Sequence, residues 1–327
     1  MMEVFCLNNN KTYDITNMVQ SAEIKGSKYK TARSLTLSVL NTNRGLHKSL
    51  DFQEGDTVLF RWKGSELIQG TIFKIGQDKS EVESLLVYDL MIYLLRNNES
   101  YVFTNKKASE IARTVCNDFG IPIGSIVDTG YVIPSLVCDA KNLYDIIMQA
   151  LEMTRKQTGV NHYLYAEKGK LYIVRRIENI RKWVIENGVN LIDYSYERSI
   201  EETFTKVKLS AEQNDTTLIA TADNGELQKR FGMLQYFEKV SDTLTQSQLN
   251  DRAKELMKQK GVINKSFSLT ALGIADIISG ASIYVIEKKL KISKGYFVDE
   301  DTHTFKGKEH TMSLKLTETD KLPEVSL

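Results

Sequence analysis

Glu54-Gly55-Asp56-Thr57-Val58-Leu59-Phe60-Arg61-Trp62-Lys63-Gly64-Ser65-Glu66 is the stretch whose reading decides the fold of this chain. Gly55 marks a turn, because glycine adopts backbone angles that other residues avoid. Val58, Phe60 and Trp62 then alternate with Leu59 and Arg61, the period of two expected of a strand. Lys63-Gly64-Ser65-Glu66 turns the chain, residues 67–75 return as a second strand and residues 84–88 form a third. Asp89 suits a helix N-cap, its carboxylate accepting an orphan backbone N–H. Leu90, Tyr93 and Leu94 follow at i, i+3 and i+4, one face of a short helix.

Upstream the pattern is also that of strands. Tyr13-Asp14-Ile15-Thr16 and residues 19–24 are short candidates, and residues 34–40 alternate, with Leu35, Leu37 and Val39 on one side. Residues 41–45 are polar and read as a turn. Strand after strand with one short helix predicts a closed or nearly closed β-barrel over residues 1–98. The character changes near Asn97-Asn98-Glu99-Ser100. Ala108, Ile111, Ala112, Val115, Cys116 and Phe119 have helical spacing, stopped by Gly120 and Pro122. Leu143, Ile146, Ile147, Ala150 and Leu151 mark a second helix, and residues 163–174 read as a hairpin turning at Glu167-Lys168-Gly169-Lys170. These predict a small α+β module over residues 99–189.

From Asn190 the β character returns. Residues 204–210 and 217–221 read as strands, and Asp223-Asn224-Gly225 as a hairpin-type turn leading to a third strand after Gly232-Met233-Leu234-Gln235. Thr245-x-x-Gln248 is a capping box opening a helix with Leu249, Ala253, Leu256 and Met257 along one stripe and Gly261 closing it. Strands are predicted again at 267–269, 282–286, 296–298 and 311–316. Residues 190–327 are therefore expected to form a second barrel with a helical insertion near 245–261. The predicted fold is mainly β, two tube-type barrels flanking an α+β module.

The two ends of the chain echo each other. Gly55-Asp56-Thr57-Val58 precedes a strand and Gly70 opens the next; Gly280-Ala281-Ser282-Ile283 precedes a strand and Gly295 opens the next, at the same spacing. Either two ordinary hairpins coincide, or residues 1–98 and 190–327 are copies of one barrel.

Composition narrows the function. Lys plus Arg number 43 against 42 Asp plus Glu, which argues against a dedicated nucleic-acid binder with its basic surplus. Cys6, Cys116 and Cys138 are too few and too scattered for a disulfide framework or a metal site, and read as reduced core residues. The N-terminal residues lack a basic segment followed by a long apolar one, and no run approaches a membrane span, so neither a secretory signal nor a membrane anchor is expected.

Chemistry is sparse. His47, His162, His303 and His310 form no i, i+4 pair on a predicted helix. His303 and His310 are expected to flank a loop beside Asp299, Glu300 and Asp301, where carboxylates and imidazoles suggest a divalent ion, but at no standard spacing. Glu201-Glu202 reads as a solvated face. Tyr163, Tyr165 and Tyr172 gather on one hairpin, as a sugar- or base-stacking platform or as cross-strand packing or a subunit interface. Lys288, Lys289, Lys291 and Lys294 form a basic cluster, either a solvated loop or part of a channel wall for DNA. No nucleophile elbow, phosphate loop or dinucleotide fingerprint occurs. No catalytic, cofactor-binding or metal-ligating residue is expected.

Glu54-Gly55-Asp56-x-Val58, Gln69-Gly70-x-Ile72, Val87-Tyr88-Asp89-Leu90 and Tyr93-Leu94 together resemble the XkdQ-like family of contractile-tail proteins, the baseplate hub proteins of phages and defective prophages. The resemblance continues through Leu143-Tyr144-Asp145-Ile146-Ile147, Gly169-Lys170-Leu171, Phe231-Gly232-Met233-Leu234-Gln235, Arg252-Ala253-x-Glu255-Leu256, Ala271-Leu272-Gly273 and Ser279-Gly280-Ala281-Ser282. It implies a homotrimer whose paired barrels make a pseudo-sixfold ring between the tail tube protein and the spike protein. It also implies further contacts with other baseplate, LysM-like adaptor or wedge proteins, a lumen passed by DNA, and residence in a virion or tailocin-like particle assembled in a bacterial cytoplasm. Competing readings are a tail-associated cell-wall hydrolase and a surface-glycan-binding module.

Overall fold

The computed structural model describes residues 1–8, 11–28, 32–42, 49–175, 183–213, 216–240 and 244–318. His47 and most of the turn expected over 41–45 lie outside these residues.

The alternation around Phe60 becomes a set of antiparallel strands. β1 (Met2–Asn8), β2 (Lys11–Asp14), β3 (Val19–Ser27), β4 (Ser34–Leu40), β5 (Thr57–Trp62), β6 (Ser65–Gln77) and β7 (Val82–Tyr88) lie in the order β3-β4-β7-β6-β5-β1-β2. Val58, Phe60 and Trp62 of β5 and Leu35, Leu37 and Val39 of β4 all point into one core, as the period of two requires. Asp89 caps α1 (Met91–Arg96), accepting the Met91 N–H at 3.0 Å.

The middle of the chain has its own core. It comprises β8 (Asn98–Lys107), α2 (Ala108–Asp118), β9 (Ile123–Ile126), β10 (Val132–Asn142), α3 (Leu143–Thr158), β11 (His162–Glu167) and β12 (Lys170–Arg175). The Asn142 side chain accepts the Asp145 N–H at the start of α3, and Gly159, with φ +71°, ends it in the left-handed region. Of the apolar positions predicted for the two helices all but Phe119, half-buried at the end of α2, are buried: Ile111, Ala112, Val115 and Cys116 of α2 meet Leu143, Ile146, Ile147 and Ala150 of α3 in this core. β8 and β10 form a two-stranded ribbon that the sequence reading did not anticipate.

Beyond β13 (Trp183–Glu186) and β14 (Leu191–Ser199) come β15 (Lys206–Gln213), β16 (Thr216–Asp223), α4 (Gly225–Phe231), β17 (Gln235–Val240), α5 (Gln246–Lys260), β18 (Asn264–Leu272), β19 (Ser282–Glu287), β20 (Ile292–Lys306) and β21 (Glu309–Thr317). The compact units cut the chain differently from the three consecutive regions read in the sequence. One contains Met1–Tyr194 and Ser268–Leu327; the other is Ser195–Phe267.

Within the smaller unit, the sheet β16-β15-β17 buries Val207, Leu209, Ala211, Ala220 and Val240 with Leu249, Ala253 and Met257 of α5. The capping box is formed as its sequence predicted: Thr245 Oγ1 accepts the Gln248 N–H and Gln248 Oε1 accepts the Thr245 N–H. Asp223-Asn224-Gly225 is not a hairpin turn. The Asn224 side chain caps α4 through the Leu227 N–H, and α4 carries the chain past β15 to β17, which pairs parallel with β15 and so runs antiparallel to β16. Asn-Gly suits both roles, and the parallel partner decided between them.

A long sheet, most of whose strands belong to the larger unit, runs β14-β18-β21-β20-β3-β4-β7-β6-β5-β1-β2, with β19 between β20 and β13. The echo seen in the sequence is a repeated backbone motif. Gly55 (φ +99°) donates to Ile72 O at 2.9 Å, and Ile72 N–H returns to Asp56 O at 2.9 Å. Gly280 (φ +89°) donates to Val298 O at 2.8 Å, and Val298 N–H returns to Ala281 O at 2.9 Å. The register then slips between Ile72 and Lys74 against β7, and between Val298 and Glu300 against β21. The order β4-β7-β6-β5 thus reappears as β18-β21-β20-β19. The copies differ one strand further out, where β1 is antiparallel to β5 but β13 is parallel to β19.

Candidate functional site

The two strand sets join where β20 leaves β19 and lies against β3, with Glu300 opposite Ser27 through Phe305 opposite Ala22. Phe305 is fully buried and enters the core of the first set, its ring 4.9 Å from Phe60 and 5.0 Å from Trp62. A buried polar cluster lies just before it on the same strand. Arg33 donates to both carboxylate oxygens of Asp301, Nη1 to Oδ1 at 2.9 Å and Nη2 to Oδ2 at 2.6 Å. Asp301 also accepts the Ser279 N–H at 2.6 Å, which ties the Gly280 turn to the joint. Lys28 pairs with Asp299 alongside. Gly26 makes the arrangement possible, because a Cβ there would collide with the Arg33 guanidinium and the Asp301 carboxylate.

Electrostatics follow from this packing. Burial works to raise the Asp301 pKa, but the Arg33 charge and hydrogen bonds outweigh it and hold the carboxyl below its usual range. His303, 2% exposed, is shifted down by burial, against the pull of Asp301. Its Nε2 is 2.8 Å from Ile277 O, and a carbonyl only accepts, so Nε2 carries the proton. Its Nδ1 then accepts from His310 Nε2 at 2.9 Å. Burial, with the nearby His303 and Lys63, lowers His310 to about 4. Asp89 faces Arg33 from the other side. Burial pushes it up to about 7, against the hydrogen bond from the Arg33 backbone and the Arg33 charge.

The candidates from the sequence take these places. His303 and His310 do not flank a loop: they stand on β20 and β21, bonded to each other, and the turn falls at Gly307. Among the described residues no group of three or more His, Cys, Asp and Glu side chains is placed to hold a metal ion. Tyr163, Tyr165 and Tyr172 form a stacked ladder, with centroids 5.5 and 5.4 Å apart. The Tyr163 hydroxyl donates to Ser279 O at 2.8 Å, and its ring faces Gly280, so that end of the ladder packs the middle module onto the repeated turn. A pocket of about 50 Å³ lined by Arg33, Asp89, Tyr144, His162 and Tyr163 lies there, well below the several hundred Å³ of small-molecule sites. Lys288, Lys289 and Lys291 are exposed around the β19–β20 turn, while Lys294 pairs with Glu318 at 2.8 Å. Glu201 and Glu202 are exposed. Sequence reasoning missed Arg33, Gly26 and Ser279, since Arg33 and Asp301 are 268 positions apart and carry no local pattern.

Comparison with known proteins places this arrangement. A family model described as YQBQ-like matches residues 22–317. The uncharacterized protein YqbQ of Bacillus subtilis (strain 168) is 39% identical over 326 residues, 99% of each chain. The chain belongs to the YqbQ-like family. Protein XkdQ of the phage-like element PBSX, also from Bacillus subtilis, is 37% identical to this YqbQ-like chain over 326 residues, again 99% of both. Among solved structures, the 43 kDa tail protein of prophage MuSo2 from Shewanella oneidensis shares the fold, with a TM-score of 0.70 at 15% identity over 96% of this chain and 97% of that one. The Escherichia coli c3393 protein, a type VI secretion component, follows with a TM-score of 0.55 at 7% identity over 94% of this chain and 76% of that one. The mainly β fold expected for this YqbQ-like chain is thus that of a prophage tail protein.

Proposed function

We propose that this chain is a structural subunit of a phage or phage-derived baseplate, a hub that forms a trimeric, pseudo-sixfold ring joining a contractile tail's tube to its central spike. The observation that carries the reading is the repeated strand set. A chain that presents β4-β7-β6-β5 and then β18-β21-β20-β19 in one sheet offers two similar building blocks, and three such chains offer six. The relatives support it: XkdQ belongs to a phage-like element, the MuSo2 protein is a tail protein, and the c3393 protein is described as similar to the T4 tail proteins gp27 and gp5. On this reading the two strand sets are copies of one tube-type barrel, the middle module packs beside them, and the role is geometric rather than catalytic.

The test is the mass in solution by light scattering, for the chain alone and co-expressed with the spike protein of its particle. The monomer is 37.2 kDa. A species of about three times that mass, seen as a ring by negative stain, supports the hub. A well-behaved monomer in both preparations overturns it.

A further inference from the structure

β20 has two neighbours in succession along one edge. Residues 292–297 pair with β19, and residues 300–305 pair with β3. Its counterpart β6 repeats only the first half of this. Residues 65–71 pair with β5, and β7 covers the opposite edge from Thr71 to Gln77. From Phe73 to Gln77 the edge on the β5 side has no strand partner among the described residues. The complementary vacancy is on β14. β3 lies between β4 and β20, whereas β14, in the matching place beside β18, has no second strand neighbour among the described residues. Among the described residues, one chain therefore carries both edges, and β6 and β14 do not pair with each other.

We propose that residues 73–77 of one copy pair antiparallel with β14 of a second copy of this chain, repeating between chains the joint that residues 300–305 make with β3 within one. This rests on the ring reading above and specifies its contact. A head-to-tail contact using two different edges of the same chain is the heterologous kind that closes into a ring, and the continuity of the sheet through the internal joint supplies its geometry. The side chains at the two edges fit. Phe73 is 36% exposed and stands edge-on to Tyr88 at 5.5 Å, with Tyr93, 37% exposed, at 6.0 Å. Ile192 on β14 is 55% exposed. Aromatic and aliphatic groups of this kind are what a permanent interface covers. Lys74 on β6 is opposite in sign to Asp193 and Glu197 on β14. Counted from the matched register slips, Ile75 and Gln77 stand where Asp301 and His303 stand. The joint between copies is thus built from backbone bonds and apolar contact, without the internal ion pair.

The experiment mixes two single-cysteine variants, Lys74→Cys or Gln77→Cys in one copy with Asp193→Cys or Glu197→Cys in the other, and oxidises them mildly in ring preparations. The native cysteines are buried and stay out of the way. A cross-linked dimer in at least one β6–β14 combination, absent when Glu226→Cys on α4 replaces the β14 partner, is the expected result. Phe73→Glu, which sets like charges against Asp193 and Glu197, is expected to lower the ring fraction at least about tenfold with the monomer's melting unchanged. Rings that form without any β6–β14 cross-link and tolerate Phe73→Glu overturn this inference and leave the hub reading standing. Absence of rings in every preparation overturns the hub reading, and this contact with it.

Discussion

Replacing Arg33 by Met isolates what the buried ion pair contributes. The Asp301 side chain is fully enclosed and that of Arg33 is 16% exposed. Removing the guanidinium leaves a buried carboxylate with the Ser279 N–H as its remaining short donor, a loss of roughly 3–5 kcal/mol. The effect reverses with pH. In the wild-type chain Asp301 is held below its usual pKa, so its contribution is present above the unfolded value and is lost as pH falls. In Arg33→Met, burial is opposed by only the Ser279 N–H and the nearby His303 and raises the carboxyl, so the neutral acid is tolerated at low pH and stability falls as pH rises. The double variant Arg33→Met/Asp301→Leu removes both charges and is expected near wild type or above it. Hydrogen exchange at the Ile24 and His303 amides, which oppose each other across the joint, reads the local opening directly. Opening at pH 8 is expected to become on the order of 10²–10⁴ times more frequent in the single variant. A change below about 1 kcal/mol, or a single variant that loses stability on acidification as the wild type does, refutes the account of the joint.

Other outcomes follow from the same geometry. Phe305→Ala empties the space beside Phe60 and Trp62 and is expected to cost about 3–5 kcal/mol in chemical denaturation. Gly280→Ala places a Cβ at φ +89° within 2.9 Å of the Tyr163 ring and is expected to cost roughly 1–3 kcal/mol; the exposed Gly55→Ala meets no such neighbour and costs less in the same assay. Thr245→Ala removes the cap of α5 and is expected to cost about 1 kcal/mol, seen as faster exchange of the Gln248 amide with β3 and β20 unaffected. His310 sits below its ordinary value at about 4, so the stability its neutral form supports is present above pH 6.5 and fades as pH falls toward 4. His310→Gln is expected to flatten that part of the stability–pH curve. Asp89 has the opposite sign: with its carboxyl raised to about 7, Asp89→Asn is expected to stabilise the chain at pH 8 and to be near neutral at pH 5.

The parts of the fold legible in sequence were those governed by neighbours in the chain. Val58, Phe60 and Trp62 gave away β5 because one face of a strand is buried, and Thr245 and Gln248 gave away α5 because a capping box is local. β10 carries Pro134, a poor strand residue, which is tolerated because among the described residues β10 pairs only with β8 and the register skips that residue. Residues 299–304 looked like a polar loop because the partners of their buried charges, Lys28 for Asp299 and Arg33 for Asp301, are far away in sequence. For the same reason the joint itself was invisible: Gly26, Arg33, Ser279 and Asp301 have meaning only together. The paired glycine turns did announce the repeat, although Gly70 and Gly295 are not equivalent in demand. A Cβ at Gly70 would collide with the Tyr88 backbone, while one at Gly295 meets nothing closer than 3.9 Å.

The span between the halves of that joint sets a schedule for synthesis. Arg33 leaves the ribosome 268 residues before Asp301, which at bacterial elongation rates of about 5–20 residues per second is roughly 15–50 s. Through that interval β3 has β4 on one side and nothing on the other, and the core around Phe60 lacks Phe305. A nascent chain waiting in this state presents a sticky edge to every sibling on the same message. Polysomes crowded with such chains favour β3 capturing the β20 segment of a neighbour instead of its own, a domain swap that preserves every bond of the joint while tangling two chains. Elongation speed across the residues between Arg33 and Asp301 therefore sets how long that edge waits for its partner.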